Sequence, residues 1–285
     1  MSEPLVQLTG VSRLFPGLLA VDDVSLQVHP GEVVGLLGAN GAGKTTLLTM
    51  LLGLLAPTAG TVRLLGGPPS RATRRRVGYV PQNLGLYESL TVAENLAFIA
   101  GAYGTASPTL PDGLRGLANT PVASIGLGSR RRLSFVAALG HDPALLVLDE
   151  PTSGVDPLAR ARLWDTIRAQ AQAGVGVVVT THYLQEARQC DRLVLMVAGR
   201  SVASGGEDDL IGDLTAVQVR TEVWQQAFAA LAEAGLPVVL EGTGVRVAAV
   251  PVDQVRAVLA DAGVAAQVAA VPARLEEVMA ARAAR

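Results

Sequence analysis

The chain has 285 residues, enough for one large domain with its own core and a small second one. With 23 basic against 25 acidic residues its formal charge is −2, which excludes the net basic field that favours nucleic acid. A single cysteine, Cys190, excludes an internal disulfide and gives no reason to place the protein in an oxidising compartment.

From the N-terminus, MSEPLVQLTG has neither a basic start nor an apolar signal core, so the expectation is a chain that begins and stays in the cytoplasm. Residues 5–37 read as short strands: VQLTGV, SLQV, then the continuous apolar run VVGLL of a buried strand. A Gly-rich loop follows, then a helix from about Thr45 to Leu55 ended by AlaPro and ThrAlaGly. The apolar run around Leu47 to Ala56 is too short for the roughly 20 residues that cross a bilayer. Arg63–Leu65 and Val77–Val80 read as strands, 91–103 as helix, 104–124 as loop and Leu133–Leu139 as helix. Leu145–Leu148 and Val175–Thr180 are buried strands. Strands alternating with helices predict an α/β domain with a mainly parallel sheet.

After Ser204 the pattern changes. ALAEAGL at 230–236 recurs as VLADAGV at 258–264, an offset of 28 residues within 217–271. Each copy reads strand, helix, Gly, strand, so two βαβ units predict a small α+β ferredoxin-like domain, followed by a helix over about Ala273 to Ala283. The expected division is 1–205 and 206–285, with a short helical lobe over about 88–140. The chain is 49% hydrophobic, much of it alanine, which hints only weakly at a buried partner surface.

The 23 basic residues include one lysine, Lys44, inside the Gly-rich loop. A compact ammonium is wanted there, and arginine's planar fork does not replace it. The loop, GANGAGKTT, comprises Gly38, Ala39, Asn40, Gly41, Ala42, Gly43, Lys44, Thr45 and Thr46. It matches the phosphate-binding pattern G-x-x-x-x-G-K-[ST], after an apolar strand and before a helix. Glycines let backbone N–H groups approach the phosphates, and the helix start adds its positive end. Lys44 is expected to bridge the β- and γ-phosphates of ATP, and the Thr45 hydroxyl to ligate Mg²⁺. The strand LLVLDE, 145–150, ends in two acids at the carboxyl edge of the sheet, where such sheets bind ligands. Asp149 is expected to hold Mg²⁺, and Glu150 to polarise the attacking water.

GANGAGKTT, YVPQ at 79–82, LDEPTSGVDP at 148–157 and TTH at 180–182, in that order, strongly resemble the ATPase subunits of ABC transporters over about residues 5–205. The resemblance implies a P-loop NTPase fold of ABC type, with N-terminal antiparallel strands beside the parallel core. It implies that Gln82 senses Mg²⁺ and the water, and that His182 contacts the γ-phosphate. It also implies that Asp156 lies in a loop crossing to a second ATPase subunit, that Phe15 stacks on adenine, and that Val21 lies beside it. Taken alone, Gln82 is a loop residue, His182 a solvated strand end and Phe15 a core residue.

One motif departs. Aligned on RRRL at 130–133, the family's signature LSGGQ becomes IGLGS, 125–129. Gly126 replaces the serine, Leu127 a glycine and Ser129 the glutamine; Gly128 is retained. Backbone N–H groups at the start of a 129–139 helix still point at an anion, and the missing hydroxyl costs about 1–2 kcal/mol. The ending PARLEEVM, 272–279, and THYLQEA, 181–187, resemble the drug-resistance-type exporters. The family implies a second ATPase subunit, expected to be a copy of this chain, and a separate multi-span membrane permease that holds the protein at the cytoplasmic face of the membrane. Two other readings are a weakened ATP-dependent dimeriser with little turnover and a soluble ABC ATPase that does not serve transport.

Overall fold

The computed structural model describes residues 3–283, and the chain divides into two compact units at Ser201/Val202. The first unit runs β1 (Val6–Phe15), β2 (Leu18–Val28), β3 (Val33–Leu37), α1 (Lys44–Leu51), β4 (Ala59–Leu64), α2 (Arg71–Arg74) and β5 (Val77–Val80). It continues with α3 (Val92–Tyr103), α4 (Asp112–Arg115), α5 (Leu127–Leu139), β6 (Leu145–Asp149), α6 (Pro157–Gln172), β7 (Gly176–Thr181), α7 (Leu184–Ala187) and β8 (Arg192–Val197), and β9 (Arg200–Gly205) spans the division.

The central sheet has the order β5-β6-β7-β3-β8-β9, and β5 through β8 pair in parallel. β3, β6 and β7 are buried along their whole length. Their continuous apolar runs follow from that, because successive side chains point to opposite faces and both faces are covered. Val34, Leu36, Leu145, Val147 and Val178 enter one core with Leu47, Leu48, Met50 and Leu51 of α1. Val33, Leu146, Leu148, Val177 and Val179 enter the other with Leu163, Trp164, Ile167 and Ala171 of α6. The antiparallel sheet β2-β1-β4 adds Val6, Leu8, Val24 and Leu26 to the first core.

Several elements differ from the expected ones. α5 begins at Leu127, six residues before the anticipated Leu133, with Gly126 as its N-cap. The glycine penalty applies to a helix interior; Gly126 is outside the helix and Gly128 is in its first turn. The segment 104–124 contains α4 and a short 3-10 turn at Val122–Ser124. Leu114, Val122 and Ile125 pack there with Val92, Leu96 and Leu133 in the core of the helical lobe. α6 was missed, although Asp156 caps it and Pro157 opens it. β8 and β9 were missed as well; they are joined by Ala198 and Gly199, both at positive φ (47° and 83°), the pattern of a tight hairpin turn.

The second unit contains α8 (Glu207–Ile211), β10 (Thr215–Arg220), α9 (Trp224–Glu233), β11 (Val238–Glu241), β12 (Gly244–Ala248), α10 (Val252–Asp261), β13 (Gln267–Pro272) and α11 (Leu275–Ala283). Its sheet has the order β11-β12-β10-β13 with every pairing antiparallel, so β10 to β13 form the split βαβ arrangement of a ferredoxin-like fold. α9 and α10 start 28 residues apart (224 and 252), and Ala227/Val255 and Leu231/Leu259 are equivalent buried pairs of one core. Arg246 of β12 and Glu277 of α11 are both buried (4% and 1% exposed) and hydrogen-bonded, and Arg246 also donates to the Pro272 carbonyl at 2.9 Å. Removing Glu277 leaves buried Arg246 with only the half-exposed Glu241 carboxylate, 4.0 Å away. Glu277→Ala should therefore destabilise this unit by about 3–5 kcal/mol, read by denaturant melting of the full chain through Trp224 in a Trp164→Phe background. A loss below about 1 kcal/mol, the scale of an exposed pair, would show that the pair does not hold the unit together.

Candidate functional site

The loop between β3 and α1 crosses the carboxyl edge of the sheet. Gly41 and Gly43 are at φ 83° and 93°. A Cβ on Gly43 would come within 2.4 Å of the Ala20 carbonyl oxygen, so only glycine lets the hairpin β1–β2 close against the loop. α1 then opens at Lys44 with no side-chain cap and no acid in its first turn. The first-turn N–H groups lack helical partners and carry the positive end of the helix.

Those groups border a cleft of about 620 Å³ lined by Asn40, Gly41, Gly43, Lys44, Thr45, Thr46, Gln82 and Glu150, with Leu18, Leu19, Ala20, Ala198 and Gly199 on its other wall. Lys44 Nζ donates to the carbonyls of Gly38 (2.8 Å) and Ala39 (3.1 Å) and stands 3.8 Å from Glu150 Oε1. Burial lowers the Lys44 pKa, opposed by the charges of Glu150 and Asp149. Asp149 is buried, and its two carboxylate oxygens accept the hydroxyls of Thr45 (2.9 Å) and Thr180 (2.6 Å). Tyr79 on the adjacent strand β5 is pushed up to about 12 by burial and then by Asp149. Glu150 is at φ 48°, and its N–H donates to Thr180 Oγ1 at 2.9 Å. His182 Nδ1 lies 3.3 Å from Glu150 Oε1 without hydrogen-bond geometry, a buried nitrogen left without a partner.

The structure thus brings Lys44, Thr45, Asp149, Glu150 and His182 together, with Gln82 at the cleft wall. Other expected residues do not line this cleft. Val21 is wholly buried, and a Cβ on Gly43 would sit 3.4 Å from its Cγ2; it supports the loop from beneath and does not face the cleft. Ala42 is also buried, and its carbonyl accepts the Gly199 N–H at 3.2 Å, which anchors the loop to the turn after β8. Phe15 is half-buried with the Arg13 guanidinium 4.6 Å from its ring, and Leu18, Leu19 and Ala20 form the apolar edge of the cleft. Gly128 and Ser129 are in the first turn of α5, away from this cleft. Asp156 is also away from it, its side chain accepting the Ala159 N–H at 2.9 Å.

Sequence reasoning missed Thr180, Arg131 and Glu186. Thr180 and Thr181 are polar ends on the apolar strand VVVTT, and a buried hydroxyl there needs a partner. Glu186 is 2% exposed and accepts the hydroxyls of Thr152 and Thr181, the latter at 2.8 Å, so it ties the segment after Glu150 to the end of β7. Arg131 is equally buried, and nothing in the run of three arginines distinguishes it by sequence.

A nucleoside triphosphate and Mg²⁺ suit these groups. The cleft joins a cationic, N–H-rich end to an apolar edge. The Thr45 hydroxyl and the Asp149 carboxylate are hard oxygen donors, the kind Mg²⁺ uses together with phosphate oxygens. Among the described residues no group of three or more His, Cys, Asp or Glu could hold a metal alone.

A parallel α/β sheet with this loop after β3 and this acid pair after β6 is a P-loop nucleotide-binding fold. Residues 21–153 match the family model described as ABC transporter. The chain is 41% identical over 220 residues to the Nod factor export ATP-binding protein I of Cupriavidus metallidurans, covering 73% of each chain. It is 38% identical over 238 residues to the probable multidrug ABC transporter ATP-binding protein YbhF of Escherichia coli, which covers 79% of this chain but only 41% of that longer protein. A solved structure of an ATP-binding subunit of an ABC transporter superposes with a TM-score of 0.67 at 32% identity, over 72% of this chain and 91% of that one. The fold is shared with the dimeric ATP-binding cassette MJ0796 bound to ADP and Pi, with a TM-score of 0.62 at 22% identity over 70% of this chain and 98% of that one. The chain belongs to the ATP-binding subunits of ABC transporters.

The lone lysine gives a sharp test. Lys44→Arg keeps the charge, but its planar fork cannot occupy the buried space between the Gly38 and Ala39 carbonyls. A fluorescent ATP analogue should bind the variant at least about tenfold more weakly than the wild type, a loss of about 1.4 kcal/mol. Equal affinity would show that any cation serves.

Proposed function

We propose that this chain hydrolyses ATP at the cleft between Lys44 and Glu150 and that two such subunits drive export through a separate multi-span permease at the cytoplasmic face of the membrane. The observation that carries this reading is the convergence of Lys44, Thr45, Asp149 and Glu150 on one cleft. The relatives named Nod factor export ATP-binding protein I support the direction of transport. Among the described residues no helix is long and apolar enough to cross a membrane.

Bound MgATP supplies the phosphoryl group that passes to water and the metal charge that offsets the negative charge of transfer. Thr45 and Asp149 hold the metal. Lys44 and the first-turn N–H groups of α1 hold the phosphate oxygens. The carboxylate of Glu150 accepts a hydrogen bond from the attacking water and orients it. His182, beside Glu150, donates toward the terminal phosphate. Gln82, on the cleft wall, reports its occupancy to the permease. Leu18, Leu19 and Ala20 offer the apolar surface for the base. The first turn of α5, with Gly128 and Ser129, completes the site of the opposite subunit, and Asp156 lies on the segment that meets it. ATP binding favours the closed pair because only the closed pair contacts the nucleotide from both sides.

A second reading, a dimeriser with little turnover, is favoured by one observation: Gly126 leaves the N-terminus of α5 without a side-chain cap. ATPase assays on the wild type and on Glu150→Gln separate the two. Hydrolysis by the wild type, reduced about 10²–10⁴-fold in Glu150→Gln at similar ATP affinity, is the expected result. Equal background rates in both would favour the dimeriser.

A further inference from the structure

α5 carries three consecutive arginines that reach three different places. Arg130 donates to the Ile125 carbonyl (2.9 Å) and the Ala123 carbonyl (2.6 Å) and pairs with Glu88 (3.1 Å), fixing the lead-in to the helix. Arg132 lies over Gly113 of α4, where an added Cβ would collide with its Nη1. Arg131 turns inward. It is 5% exposed, and Nη1 donates to the carbonyls of Glu150 (3.1 Å) and Pro151 (2.9 Å) while Nη2 donates to that of Ser153. No carboxylate among the described residues pairs with Arg131 at salt-bridge distance, so its charge is spent on backbone oxygens.

Those oxygens belong to the turn that aims Glu150. Its left-handed φ of 48° is a conformation that a side-chain-bearing residue adopts only when its surroundings impose it. Two side chains do so: Thr180 takes the Glu150 N–H at 2.9 Å, and Arg131 takes the Glu150 carbonyl. With both backbone groups gripped, the carboxylate is directed to within 3.3 Å of His182 Nδ1 and 3.8 Å of Lys44 Nζ. The other end of the same helix face is tied as well, because Ser134 Oγ donates to the Leu84 carbonyl at 2.7 Å, two residues beyond Gln82.

We propose that Arg131 is a positioning residue for hydrolysis: it holds the Glu150–Ser153 turn, and so couples the aim of Glu150 to the placement of α5. The inference rests on the ATPase reading above. Under that reading the first turn of α5 meets the nucleotide of the opposite subunit. A displacement of α5 on engaging that nucleotide reaches the Glu150 of its own subunit through one guanidinium. Glu150 of each subunit is then correctly aimed only when its own α5 is engaged across the pair. A fork is needed because the carbonyls lie in different directions from one charge, which a single ammonium cannot satisfy together.

The test uses the full chain with Arg131→Lys and Arg131→Met, each measured for ATP affinity with a fluorescent ATP analogue and for steady-state hydrolysis of MgATP. Arg131→Lys should lower kcat about tenfold, and Arg131→Met about a hundredfold, with Kd for ATP within about twofold of wild type. Where Arg131→Met fails to fold, by its melting curve, Arg131→Lys decides alone. Either folded variant keeping kcat within about twofold overturns the inference, as does a loss of affinity that matches the loss of kcat. The ATPase reading fails by a different sign, visible without either variant: equal rates in wild type and Glu150→Gln.

Discussion

The Asp149 carboxylate, accepting one hydroxyl from Thr45 and one from Thr180, is the contact on which the rest of the site depends. It joins the first turn of α1 to the ends of β6 and β7. A buried carboxylate without partners would be costly, and two hydroxyl donors are what make it tolerable there. Thr180 also accepts the Glu150 N–H, so the same hydroxyl sets the backbone of the next acid. One hydrogen-bonded chain therefore fixes the distance between the phosphate loop and Glu150. Catalysis by positioning needs that distance held before the substrate arrives.

α5 is the second organiser. Its interior is anchored on several sides, through Arg130, Arg131, Arg132 and Ser134. The altered residues Gly126 and Leu127 are exposed, whereas Arg131, Leu133 and Ser134 are buried. The departures at Gly126 and Leu127 thus fall on the exposed side of the turn.

The parallel core was legible because its strands are buried on both faces, and VVGLL, LLVL and VVVTT are continuous apolar runs for that reason. The phosphate loop was legible because backbone geometry demands glycine and charge demands Lys44. The ferredoxin-like unit was legible through its repeat, since Leu231 and Leu259 do the same work 28 residues apart. What was not legible was set by tertiary contact. Glycine is tolerated at a cap and in a first turn, so α5 begins at Leu127, earlier than expected. Val21 and Phe15 could be assigned only by resemblance; packing behind Gly43 keeps Val21 from the cleft, and the Arg13 guanidinium lies over the Phe15 ring. Arg131 has the same sequence surroundings as Arg130 and Arg132, and only the direction of its side chain sets it apart.

Every role proposed for the site requires its cleft to receive a magnesium-bound nucleoside triphosphate. Titration calorimetry of the folded wild-type chain with MgATP tests this most directly. Saturable binding in the micromolar to millimolar range usual for enzyme substrates, about 1 μM–1 mM, weakened when magnesium is withheld, is the predicted result. A folded sample that takes up no heat-detectable MgATP, or binds it equally well without magnesium, would contradict it.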